Sequence, residues 1–237
     1  MINNEHNPIA IRISNVQDLW IENREKFPDA KIYCLVCEPT DYQIVEGFIR
    51  LEASEHGCTS DIIVGFKADY DDKTDFYKFL IKAWIDSFSM DVEKNPDWDW
   101  ADFSSFKSEL TSINSLSADK LRDLYIRIVT SFKTFVGNDN LLGITLFISR
   151  IGDVEALNEV IKDIAERLPA GVALILIDYK KREVYDILLS EMKGKICLID
   201  IPNQNMTGAY KEIATQGNPQ DPNVKYRKCL FELGEAA

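Results

Sequence analysis

Val172-Ala-Leu-Ile-Leu-Ile177 is an unbroken apolar run that ends at Asp178. A strand with no polar position must be covered on both faces, which is the condition of a strand inside a parallel sheet rather than in a half-exposed hairpin. Four other segments read the same way: Lys31-Ile-Tyr-Cys-Leu-Val-Cys37, Ile62-Ile-Val-Gly-Phe66, Leu141-Leu-Gly-Ile-Thr-Leu-Phe-Ile148 and Ile196-Cys-Leu-Ile-Asp-Ile201. Between them the spacing of apolar residues changes to that of helices. Ile44, Val45, Phe48 and Leu51 share one face after a capping box of Thr40 and Gln43, in a helix expected to stop at Gly57. Phe76, Leu80, Trp84 and Phe88 form a second stripe. Leu121, Leu124, Tyr125, Ile128, Phe132 and Phe135 form a third, opened by Ser117 and closed by Gly137-Asn138. Leu157, Val160, Ile161, Ile164 and Leu168 follow a cap at Asp153, and Val184, Leu188 and Met192 mark another helix. These connections suit helical crossovers and are too long for hairpins. The expected fold is α/β and three-layered: a largely parallel sheet of about five or more strands with helices on both faces.

Toward the ends the pattern weakens. Residues 1–8 read as a disordered tail and 9–233 as a single α/β domain, a length within the range of one core. Ser14 with Gln17 suggests a capping box opening a helix toward Pro28, anchored by Trp20. A short helix is expected over 207–216, a Gly/Pro-rich loop over 217–222 and a last strand over 226–233. Residues 91–116 lack clean periodicity and read as an irregular acidic and aromatic insertion.

The formal charge of −12 argues against nucleic acid and against membrane surfaces as partners, since both are anionic. No apolar run approaches the roughly 20 residues of a membrane span, and the polar start has no signal-peptide pattern. Five cysteines, with Cys34, Cys197 and Cys229 in apolar stretches of strand type, suit reduced thiols in the cytoplasm. Cys34 and Cys37 have the spacing of half a redox or zinc motif, but in a strand an offset of three points them to opposite faces. His6 and His56 leave little scope for a triad or a zinc site, and neither a Gly-x-Ser-x-Gly elbow nor a Gly-x-Gly-x-x-Gly fingerprint occurs.

In a doubly wound sheet, chemistry collects beyond the carboxyl ends of the strands. Those ends carry Glu38, Asp41, Asp69, Arg150, Asp153, Asp178, Lys180 and Asp200. Converging carboxylates could hold Mg²⁺ or act as general acid and base; equally, polar residues end strands and cap helices in every such fold. Two runs, Ala173-Leu-Ile-Leu-Ile-Asp178 and Ile196-Cys-Leu-Ile-Asp200, share four apolar residues followed by Asp. In this the chain resembles the core of P-loop NTPases of the AAA or STAND kind, over most of residues 31–201. The resemblance implies a Gly-rich phosphate loop ending in Gly-Lys-Ser/Thr after the first strand. That place holds Glu38-Pro39-Thr40-Asp41, in which proline lacks a donor and two carboxylates repel phosphate. ATP binding is not expected, and no cofactor is required, with Mg²⁺ the alternative.

Residues 69–102 contain ten acidic and four basic side chains, which is half the net charge of the chain. Trp98 and Trp100 lie there among Asp97, Asp99 and Asp102, and Phe103 and Phe106 follow directly. Aromatics rimmed by carboxylates can anchor and steer a basic protein partner; alternatively they turn inward and the acids solvate the outside. Three functions remain open: a non-catalytic cytoplasmic interaction module (adaptor, assembly subunit or acidic neutraliser of a basic partner), a degenerate NTPase-like domain, and a Mg²⁺-dependent enzyme using the strand-rim carboxylates. Oligomeric state is not legible.

Overall fold

A computed structural model describes residues 7–137, 140–215 and 220–235, with side chains through residue 229. Five strands form one all-parallel sheet: β1 (Ile32–Cys37), β2 (Ile62–Tyr70), β3 (Leu142–Ile151), β4 (Val172–Tyr179) and β5 (Ile196–Asp200), in the order β2-β3-β4-β1-β5. Burial follows position in the sheet. β1 and β4 are interior and buried at nearly every residue. β2 and β5, at the edges, alternate between buried and more exposed residues along most of their length.

The helices cover both faces. On one face α1 (Pro8–Lys26), α2 (Tyr42–Glu52) and α8 (Met206–Thr215) pack Trp20, Phe48 and Met206 against Tyr33, Ile175 and Ile199. On the other, α3 (Lys73–Lys94), α5 (Ala118–Val136), α6 (Val154–Arg167) and α7 (Asp186–Glu191) pack Trp84, Tyr125, Ile161 and Leu188 against Phe66, Ile144 and Leu174. This is the three-layer architecture the apolar runs require. Cys34 joins the second core and Cys37 the first, so the half-motif is split between faces. Burial is the main reason both thiols are pushed up to about 12.

Several expectations are corrected at the ends. The first helix begins at Pro8, six residues before Ser14, because Asn7 caps it by accepting from Ile9 N–H at 3.0 Å. Residues 1–6 of the expected tail lie outside the described residues, but Pro8 is helical. The expected strand over 226–233 is a helix, α9 (Pro222–Glu235), which packs on α8, and Cys229 is exposed on it. Of the loop expected over 217–222, residues 217–219 lie outside the described residues, and Pro222 already belongs to α9.

The insertion is more regular than its sequence suggests. α3 runs to Lys94, residues 95–102 turn back, and α4 (Phe103–Glu109) leads through a 3-10 segment, Leu110–Ser115, into α5. Ser117 stands at the N-cap of α5 without a side-chain bond, and Thr40 lies inside a 3-10 turn, Pro39–Asp41, rather than in a capping box.

Candidate functional site

The strand rim is largely occupied by the protein's own bonding. Asp178 is buried, and its carboxylate accepts from the backbone N–H of Tyr179 at 2.8 Å and of Val184 at 3.0 Å, closing the turn into α7. Burial raises its pKa, and those backbone donors oppose the rise. Asp41 is fully buried and accepts through Oδ2 from Gln204 N–H at 2.8 Å, while Oδ1 has no partner among the described residues. Asp153 caps α6 through Ala156 N–H. Arg150 pairs with Asp71 at 2.8 Å and Asp69 at 3.7 Å. Lys180 reaches Asp200 at 2.9 Å, and its backbone N–H donates to Cys37 O.

β1 exits toward α2 on one face and β4 toward α7 on the other, so the crevice where such a fold accepts ligands lies between these two neighbouring strands. Tyr42 and Tyr179 meet there edge to face at 5.7 Å, with Arg182 over Tyr179 at 5.5 Å. Glu38 is half-buried at its mouth. Among the described residues, no three His, Cys, Asp or Glu side chains gather in a way that could hold a metal ion.

The acidic and aromatic segment divides sharply. Trp100 is buried against Phe88, Phe103, Phe106 and Phe132. Its Nε1–H donates to Ser131 Oγ at 2.8 Å, and the Ser131 hydroxyl donates to Asp102 at 2.5 Å. Phe106 is buried with Arg127 over its ring, and Phe103 is half-buried. Trp98, by contrast, is 45% exposed, stacked on Phe88 at 6.3 Å. Trp98 and Trp100, two residues apart, therefore differ in burial, and only Trp98 is left at the surface. Asp97 and Asp99 are exposed, and no cation pairs with them or with Asp91 among the described residues.

Trp98 borders a feature the sequence reading missed. A pocket of about 320 Å³ lies between β2 and the C-terminal half of α3, lined by Ile63, Phe66, Trp84, Met90, Asp91 and Trp98. A second concavity continues along β2 past Lys67, Asp69, Phe76 and Phe79. Met90 is 57% and Phe79 37% exposed on the same helix. The two follow one another along β2, from Ile63 to Phe66 and from Lys67 to Asp69, and give a groove beside α3 with Asp91 toward one end and Asp69, Asp71 and Asp75 toward the other. The available signals were Phe79 and Met90, which stand off the Phe76, Leu80, Trp84, Phe88 stripe, and a glycine inside a strand. A Cβ at Gly65 would meet the Phe147 ring at 3.1 Å, so this edge position stays bare.

No protein-family model matches this sequence, and no curated protein matches it. Among the described residues no helix is long and apolar enough to cross a membrane.

Proposed function

We propose that this chain is a non-catalytic, cytoplasmic protein-interaction module that docks a basic protein where β2, α3 and Trp98 meet. The observation that carries the reading is Trp98, 45% exposed beside exposed Met90 and flanked by Asp91, Asp97 and Asp99 without paired cations among the described residues. A large aromatic at the edge of an apolar pocket supplies an anchor, and the surrounding charge steers association. An adaptor, an assembly subunit and a neutraliser of a basic partner would each use such a face. The free thiols of Cys34, Cys37 and Cys197 support a reducing compartment. The same negative charge disfavours nucleic acid and anionic membranes as partners.

The test is capture of partners from the native host with the wild-type protein, Trp98→Ala, and the triple change of Asp91, Asp97 and Asp99 to Asn. A partner should be held by the wild type and lost by Trp98→Ala. With the triple variant, its association should be slower and less sensitive to salt. Equal retention by all three would overturn the reading. Asp102 is left out of that set because its bond to Ser131 supports Trp100.

Kinship to NTPase-like domains is a second reading. It is supported by β1 lying inside the sheet between β4 and β5 with a helix after it. Glu38, Pro39 and Asp41 stand where phosphates would be cradled. Titration calorimetry with ATP and Mg²⁺ is expected to give no binding heat, and micromolar affinity would contradict this. The Mg²⁺-enzyme alternative has the weaker support, since Asp153 and Asp178 accept backbone bonds and Arg150, Lys180 and Asp200 are ion-paired.

A further inference from the structure

Among the described residues, no strand pairs with the outer edge of β2. Ile62 N–H donates to Leu141 O at 2.8 Å, and the register Ile62↔Leu142, Val64↔Ile144, Phe66↔Leu146 turns the amides of 62, 64 and 66 toward β3. Backbone groups alternate along a strand, so Ile63, Gly65 and Lys67 present N–H and C=O away from the sheet. Unpaired groups of this kind are a template for another strand. Here they run beside the α3 groove, whose Phe79, Met90 and Trp98 are the exposed apolar surface.

We infer that the partner docks by adding an extended strand to the free edge of β2, with one apolar side chain in the Trp98 pocket and Lys or Arg against the acids at the groove ends. This deepens the proposed interaction reading and rests on it. Main-chain bonds would supply affinity, and alternate side chains packed on α3 would supply selectivity. The groove follows β2 from Ile63 to Asp69, a length of roughly seven residues at about 3.3 Å each. Charge decides the occupant. Asp91 borders one end, and Asp69, Asp71 and Asp75 the other, where Arg150 and Lys78 neutralise them in part. A second copy of this chain would bring the same acids to the same edge and repel. A basic-flanked segment of another protein is complementary.

The probe is a synthetic nonapeptide, Lys-Lys-Val-Thr-Leu-Thr-Val-Lys-Lys, blocked at both ends. It should bind the full chain saturably below about 1 mM, and replacing its lysines by glutamates should weaken binding at least tenfold. N-methylation of its central amides on one edge should abolish binding while leaving its side chains unchanged. On the protein, Lys67→Pro removes an outward N–H and leaves the β3 ladder intact, a placement an edge strand tolerates. It should weaken binding at least tenfold, whereas Lys67→Ala, which loses only the ion pair to Glu46, should change it less than twofold. Undiminished binding of the N-methylated peptide would overturn strand addition. If Trp98→Ala still abolished that binding, the acidic and aromatic face would stand as the docking surface, and only the mode would fail. No saturable binding, or dimerisation of the free protein through β2, would also overturn the inference.

Discussion

Trp98 leaves nearly half of its surface to solvent, while Trp100 meets the rings of five phenylalanines and donates to Ser131. Trp100→Ala should therefore cost about 3–5 kcal/mol of stability by opening a cavity. Trp98→Ala should cost under about 1 kcal/mol while removing the proposed docking anchor. Chemical denaturation of both variants checks the contrast, and equal losses would make Trp98 a core residue. Glu52 is a second residue whose chemistry is local. Burial disfavours its carboxylate, but Gln17 Nε2–H, the N–H groups of Cys58 and Thr59 and the Thr59 hydroxyl donate to it, and its pKa lies below the usual value. A depressed carboxyl contributes stability above its unfolded pKa of about 4.3 and loses it as pH falls through the folded value. Glu52→Gln should lower the melting temperature at pH 7, and the gap to wild type should narrow below about pH 4.3. A gap independent of pH would show that the charge is not what the donors stabilise.

Among elements, the strands were legible and the ends were not. Five apolar runs correspond to five strands because an interior parallel strand leaves no polar position to mislead, as in β1 and β4. The errors at the ends share one missed signal. Asn7-Pro8 opens α1 and Asp221-Pro222 opens α9, in each case with the Asx side chain accepting an N–H two residues on. Proline at the first helical position is already set for helix and gives up a donor that would have had no partner. Without it, the first helix is expected to open only at Ser14, and the apolar residues over 226–233 suggest a strand. The β2 groove could not be read from the sequence because it depends on which strand stands at the edge, and strand order is set by how crossovers pack. Interrupting β2 separates edge from ladder. Phe66→Pro, whose amide faces β3, should destabilise the fold by about 3 kcal/mol or more. Lys67→Pro should cost much less, as thermal unfolding would report.

Across the whole molecule, the net charge of −12 acts on the fold as well as on partners. Self-repulsion opposes compaction, so raising salt from about 0.05 to 0.5 M should increase the melting temperature of the free protein. Added salt should weaken binding to a basic strand, and this opposition distinguishes steering from general stabilisation. At the β2 edge, outward backbone amides, an apolar pocket, an exposed tryptophan and Asp91 coincide, whereas Asp153, Asp178 and Asp200 at the carboxyl ends of other strands are held by backbone donors or an ion pair. Amide hydrogen exchange of the full chain, with and without the lysine-flanked nonapeptide, reads this division residue by residue. Docking at the β2 edge should slow exchange at Ile63, Gly65 and Lys67 and leave residues 38–41 and 178–183 unchanged. Protection confined to that strand rim, or none at β2, would contradict it.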